Sequence, residues 1–355
     1  MLEKAQRLSK GKLHLTASTY NALLECCAQS SGQGQYQYFA NEALRLIEEM
    51  RSLAIQQNNN SIAPNIKSYT SAIRCLANGG DGKGAEALFD EMMTAYKESG
   101  DRRLQPDPVI FNTVLTAYNK SKEEDALQGA QGFFSKCWEM HRKGDISKGP
   151  DSYSFTTLLS CISRANGDGK VAVERAKIAA ALLHQLHGLY NKEKNADWQP
   201  STATYNAVMN CWAKAGSPGN CEATLDKMLE DHRSGNDKAS PDIQSFNILM
   251  KSLASCNFPN AGKRADDLLN RINELHRDRV LNSGPNSITY TTLIHCHVQS
   301  GTPEGIARAE AVLREMELQH EKGNLNAPPN DSLYEMIRKA KGVQHISPDL
   351  PPQIT

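Results

Sequence analysis

A chain of 355 residues with 39% hydrophobic content can build one extended body or two compact ones, and its 40 basic and 40 acidic side chains leave no formal net charge. That balance argues against attachment to nucleic acid mainly by bulk positive charge, while leaving room for local basic grooves. No apolar run suits a membrane span, and no secretory apolar segment follows Met1, so membrane insertion is not expected.

An aromatic residue followed by Asn or Thr, and then by an apolar periodic run, recurs along the chain. The copies begin at Tyr20, Tyr69, Phe111, Phe155, Tyr205, Phe246 and Tyr290, with a weaker one at Tyr334, and their separations are 49, 42, 44, 50, 41, 44 and 44 residues. Recurrence on that scale predicts an all-α solenoid of paired helices, each pair burying on the next the apolar face it cannot cover alone.

In chain order, Leu2-Glu3-Lys4-Ala5-Gln6-Arg7-Leu8 reads as the tail of an earlier second helix, so 1–16 is the remnant of a preceding repeat. The chain is then either a fragment or begins after a processed targeting region. The first unit, 17–65, opens with a helix from about Ser18 to Ala28, breaks at Ser30-Ser31-Gly32-Gln33-Gly34, and resumes at Ala40 through Met50. The second, 66–107, opens at Ser68-Tyr69-Thr70 and its partner runs over Gly84–Met93; the third, 108–151, opens at Ile110-Phe111-Asn112 with a partner at Ala130–Met140. The fourth, 152–201, pairs Ser154-Phe155-Thr156 with Ala176–Leu183, and the fifth, 202–242, pairs Thr204-Tyr205-Asn206 with Cys221–Met228. The sixth, 243–286, pairs Ser245-Phe246-Asn247 with Ala265–Leu269, and the seventh, 287–330, pairs Thr289-Tyr290-Thr291 with Ala309–Met316. A partial terminal helix at 331–341 and an irregular tail at 342–355 follow, the tail carrying Pro348, Pro351 and Pro352. A Pro before each boundary stops the preceding helix and sets the chain's re-entry.

Five of the nine cysteines, Cys26, Cys75, Cys161, Cys211 and Cys296, stand six residues after a repeat aromatic. One helical phase predicts small buried thiols between helices. An odd total argues against a disulfide framework, and no Cys/His cluster has zinc-ligand spacing. His184, His187, His295 and His297 form no metal pattern, and Lys83 between Gly82 and Gly84 marks a helix break rather than a phosphate loop. No catalytic constellation is present, and the chain reads as a non-enzyme.

The full grammar is similar to that of pentatricopeptide repeats. Thr204-Tyr205-Asn206, Lys214-Ala215-Gly216, a second helix rich in Ala and Leu with a late Met, and a closing Pro241-Asp242 carry the likeness, and versions of it cover 17–330. The units resemble the P class of that family but exceed its usual length of about 35 residues. Much of the excess lies in Arg51–Ala63 and Asn191–Gln199, read as extended second helices or surface loops. The resemblance implies a right-handed α–α superhelix, no cofactor, and a groove of first helices that binds single-stranded RNA.

In that family the residue after the opening aromatic and the last residue of the unit read one base. Carried over residue by residue, the pairs are Asn21 with Asn65, Thr70 with Asp107, Asn112 with Asp151, Thr156 with Ser201, Asn206 with Asp242, Asn247 with Asn286, and Thr291 with Asn330. The implied bases are C, G, U, A, U, C and A from the first unit to the last. Two residues before each aromatic stand Ser18, Lys67, Val109, Tyr153, Ala203, Gln244 and Ile288. The family sandwiches bases at this position; Val109, Tyr153 and Ile288 suit that role best, and Lys67 belongs to the same set. Independently of the family, Asn offers a donor and an acceptor, Thr a compact hydroxyl, and ionised Asp only acceptors. Helix capping is the other reading of the four Asn residues, and turn formation that of Asp107, Asp151 and Asp242.

The expected function is sequence-selective binding of single-stranded RNA in organellar RNA processing, stabilisation or translation, in mitochondria or chloroplasts. Partners beyond RNA are RNA-processing or ribosomal proteins. The alternatives are a helical protein-interaction scaffold and a subunit associated with an organellar ribosome.

Overall fold

The computed structural model describes residues 16–32, 34–255 and 260–344. Among them every regular element is helical, and the chain divides into two compact bodies at Ala165 and Asn166.

The first body holds α1 (Ala17–Ser31), α2 (Tyr36–Gln56), α3 (Ile66–Gly79), α4 (Gly82–Ser99), α5 (Pro108–Lys120), α6 (Ala126–Lys143) and α7 (Ser152–Arg164). The odd-numbered helices stack in order, α1 on α3, α3 on α5 and α5 on α7. Each of α2, α4 and α6 wedges between the first helix of its own pair and that of the next. The opening aromatics fill the seam. Phe111 meets Phe89 edge-on at 5.9 Å, Phe89 meets Phe133 at 5.1 Å, and Phe134 meets Phe155 at 4.9 Å. Such edge-to-face pairs add to the stabilisation that burying the rings already gives.

The second body holds α8 (Gly169–Glu193), α9 (Thr202–Lys214), α10 (Pro218–Arg233), α11 (Ile243–Ala254), α12 (Ala261–Arg277), α13 (Ser287–Gln299), α14 (Pro303–Glu321) and α15 (Asp331–Gln344). Here α9, α11 and α13 stack, and α10, α12 and α14 wedge between successive first helices as in the first body. Each body therefore stacks paired helices as a solenoid does.

Buried tyrosine hydroxyls need partners, and the second helices supply them. Tyr20 donates to Glu49 at 2.8 Å, Tyr205 to Asp231 at 2.5 Å and Tyr290 to Glu315 at 3.4 Å, while Tyr69 accepts from Arg51 at 3.0 Å. Burial, reinforced by Glu315, pushes the Tyr290 hydroxyl up to about 12. At Phe111, Phe155 and Phe246 the same position is fully buried with nothing polar to satisfy.

Several expectations shift in detail. The first helix runs over Ala17–Ser31 rather than from about Ser18 to Ala28. The excess length of the units is both helix and loop: α2 reaches Gln56 and α8 spans 25 residues. The loops are not merely surface. Each returns one apolar side chain to the core: Ile62, Leu104, Ile146, Trp198, Ala239, Leu281 and Leu325 are all buried. Of the five in-phase cysteines, Cys75, Cys161, Cys211 and Cys296 are buried, but Cys26 is exposed. Cys296 packs against the preceding first helix, its Sγ 3.8 Å from the Met250 carbonyl. Among the described residues α1 packs on α2 and α3, with no earlier first helix against it. Burial pushes the Cys75, Cys161, Cys211 and Cys296 thiols up to about 12, which makes them inert. The terminal helix continues to Gln344, three residues past the expected 341, because nothing before Pro348 interrupts it. The remnant 1–16 lies outside the described residues except for Thr16, which caps α1, and the tail from 345 lies outside them entirely.

Candidate nucleic-acid interface

Each first helix places its paired residues by the same local rule. Asn21, Thr70, Asn112, Thr156, Asn206, Asn247 and Thr291 are all the fifth residue of their helix. Asn65, Asp107, Asp151, Ser201, Asp242 and Asn286 are the N-caps of the following first helices, and Asn330 accepts from the Leu333 amide at 3.1 Å. An N-cap side chain satisfies backbone N–H groups that the first turn leaves open. Five of these caps are closed reciprocally by the residue three further on: Ser68, Ser154, Thr204, Ser245 and Thr289. The sequence carries this as Asn, Asp or Ser, two residues, then Ser or Thr, a signal that the period of the aromatics overshadows. Asp107 lacks the reciprocal partner because Ile110 stands there, and Pro108 fills its first turn.

The Asn residues do not cap their own helices. They reach across to the cap of the next one. Asn21 Nδ2 donates to Asn65 Oδ1 at 3.3 Å, Asn112 Nδ2 to Asp151 Oδ1 at 3.2 Å, Asn206 Nδ2 to Asp242 Oδ1 at 3.3 Å, and Asn247 Nδ2 to Asn286 Oδ1 at 3.2 Å. All four Asn pairs named from the sequence are thus brought together. The pairs at Thr70 and Thr291 behave differently, because the shorter side chain does not span the gap. No hydrogen bond joins Thr70 to Asp107 or Thr291 to Asn330, and the Thr156 hydroxyl donates to the Ser152 carbonyl of its own helix at 2.8 Å.

What each joined pair leaves unused is set by the cap. In Asp151 and Asp242, Oδ1 takes the helix amide and the Asn, leaving Oδ2 as a free acceptor beside the second Asn N–H. In Asn65 and Asn286, Oδ1 is used in the same way and Nδ2 remains, so those pairs offer two donors.

The flanking positions are open to solvent. Val109 is 54% exposed, Tyr153 60% and Ile288 62%, and Lys67, Ser18, Ala203 and Gln244 are exposed as well. On the first body Val109 and Tyr153 line one cleft of about 500 Å³ with Asn112 and Asp151. Arg74, Asn78, Thr113, Thr116 and Lys120 complete its polar lining. Arg74 is held by Glu25 at 2.8 Å, and Lys120 donates to Asn78 at 3.1 Å. Apolar walls, a paired donor and acceptor, and two cations at the rim suit a planar heterocycle linked to an anion. The two cations were not singled out from the sequence, where overall neutrality hides them.

Among the described residues no cluster of His, Cys, Asp and Glu is placed to hold a metal ion, and no helix is long and apolar enough to cross a membrane.

Known proteins bear on this geometry. The sequence model of the PPR repeat family matches residues 67–95, 203–232 and 288–318. Two pentatricopeptide repeat-containing proteins of Arabidopsis thaliana are similar: one is 26% identical over 202 residues, covering 57% of this chain and 29% of its own length, and the other 25% over 189 residues, covering 53% and 34%. The chain thus spans about a third of the length of the curated relatives it matches. The crystal structure of the pentatricopeptide repeat protein PPR10 from maize superposes with a TM-score of 0.61 at 19% identity, over 97% of this chain and 39% of that one. The helix pairs stack as a solenoid, and three stretches of the chain match the pentatricopeptide repeat itself.

Proposed function

We propose that this chain binds single-stranded RNA sequence-selectively and without catalysis of its own, one base to each unit over 17–330. The observation that carries the reading is the joining of the fifth residue to the next helix's cap at all four Asn positions. Asn112 with Asp151 and Asn206 with Asp242 offer one donor and one acceptor. Uracil presents the complementary O4 and N3–H on one edge. Asn21 with Asn65 and Asn247 with Asn286 offer two donors, which match the O2 and N3 acceptors of cytosine. Thr70, Thr156 and Thr291 are shorter and leave room for a purine. Val109, Tyr153 and Ile288 stack on the bases, and Lys67, Arg74 and Lys120 meet the backbone. Family members act typically in mitochondria or chloroplasts, and the same proposal places this chain there, in RNA processing, stabilisation or translation.

The test is binding of a labelled oligonucleotide reading C, G, U, A, U, C, A across the units, made in both chain polarities, against a scrambled sequence of the same composition. Strong preference for the matched RNA in one polarity supports the reading. Equal affinity for both rejects it, and a stable protein partner without RNA binding turns the account to a scaffold.

A further inference from the structure

Resting on that reading, we infer that Ser68, Ser154 and Thr289, each the third residue of a first helix, are positioning residues for the base reader of the preceding unit, through a hydroxyl that holds the reader's carboxamide in one polarity. Ser154 Oγ donates to Asn112 Oδ1 at 2.5 Å, nearer than to the Asp151 carboxylate at 3.0 Å. Ser68 donates to Asn21 Oδ1 at 2.6 Å and Thr289 to Asn247 Oδ1 at 2.8 Å. A hydroxyl has one proton to give, so in these three units it is spent on the reader. The reader's oxygen is thereby occupied, and the edge it turns outward is an N–H. Two anchors, hydroxyl on oxygen and cap on nitrogen, leave the carboxamide neither free to flip nor free to swing.

The fifth unit lacks the first anchor. Ser245 Oγ donates to Asp242 Oδ1 at 2.9 Å, and Asn206 Oδ1 is buried without a hydrogen-bond partner. Asn206 is 6% exposed, and its Oδ1 is buried. The units at Asn112 and Asn206 carry the same Asn and Asp pair and the same Ser in the capping box. They differ in where one hydroxyl points, in the exposure of the Asn, which is half-buried at 112 and buried at 206, and in the flanking Val109 or Ala203.

A reader held only through nitrogen can turn its oxygen outward and accept the N4 amino group of cytosine. The unit at Asn112 should prefer U over C more strongly than the unit at Asn206 does. Ser154→Ala should lower the U-over-C preference at the base facing Asn112 by roughly two- to tenfold, the range that one neutral hydrogen bond covers. Ser154→Thr should restore it, since Thr289 already does the same work. Ser245→Ala removes an equivalent capping hydroxyl and should leave the preference at Asn206 unchanged.

The experiment measures affinity of the full chain and these variants for matched RNAs carrying U or C opposite each unit. In parallel, solvent exchange of the Asn112 and Asn206 side-chain amides is followed by NMR on deuterated protein labelled with 15N-asparagine. Faster Asn112 exchange in Ser154→Ala, together with the loss and rescue of preference, supports the inference. Unchanged preference in Ser154→Ala overturns it, as does equal slowing of both amides in the wild-type chain. If the wild-type chain ignores base identity while Asn112 exchanges slowly, the RNA reading has failed and the inference falls with it. If it discriminates bases while Asn112 exchanges as fast as Asn206, the positioning role alone has failed.

Discussion

Where first helices begin, the pairs are alike; where second helices end, each pair differs. Every beginning from α1 to α13 sets an aromatic fourth, an Asn or Thr fifth, and a capping residue one position ahead of the helix. The closings use short 3-10 turns at Arg102–Leu104, Ala196–Trp198 and Asp237–Ala239. At two of the other four a histidine holds the loop, His276 on the Leu281 carbonyl at 3.1 Å and His320 on the Leu325 carbonyl at 2.9 Å. A beginning must satisfy backbone amides, bury a ring and meet the next cap together, so one solution recurs. A closing has only to return the chain and bury one apolar side chain, which several loop lengths achieve.

That contrast is open to breakage in order of expected effect. Phe111→Ala removes a fully buried ring from a beginning and should cost about 3–5 kcal/mol in chemical denaturation. Leu104→Ala, in the closing just before it, should cost about 2 kcal/mol, the low end for a buried Leu, because a loop can collapse onto the gap. Equal losses would erase the distinction. Lys194 ends α8 with φ 52°, in the left-handed region, where other second helices end on Gly100 or Gly144. Lys194→Gly should therefore raise stability by about 0.5–1 kcal/mol, read as an increase in Tm, and a decrease would show that this closing is not strained.

The last prediction is a slope rather than a step. His187 sits 2.9 Å from the Tyr205 hydroxyl, whose proton goes to Asp231. Burial lowers the His187 pKa below its ordinary value of 6.5, with Asp231 opposing in part. The unfolded chain then takes up the proton first, so the stability that neutral His187 contributes is full above about pH 6.5 and is lost as pH falls below it. His187→Asn should flatten the dependence of Tm on pH between about 7.5 and 5.5. An unchanged slope would remove His187 from that role.

Much of the fold was legible in the sequence because the beginnings repeat. The aromatic spacing, the Pro before each boundary and the Ala and Leu of the second helices announce stacked pairs without any coordinates. The joined Asn pairs were named from family likeness, and capping was weighed against it as a rival. The geometry makes the two compatible, since the cap of one helix is the partner of the previous helix's fifth residue. What escaped reading depends on context that no local pattern holds. Cys26 shares its phase with four buried thiols yet is exposed. The buried loop residues stand two before the Pro at Ile62, Leu104, Trp198 and Ala239, and four before it at Ile146, Leu281 and Leu325, too irregular a signal to stand out. Arg74 and Lys120 reach the same cleft from different helices.

The most direct measurement exchanges one cap. Asp151→Asn keeps the capping oxygen and the bond from Asn112 but turns the free acceptor into a donor. Affinities of wild-type and Asp151→Asn protein are measured for four RNAs that differ only in the base facing that unit. The account predicts that the preferred base moves from U to C while affinity for the best RNA changes little. The same ranking of the four bases in both proteins would contradict it.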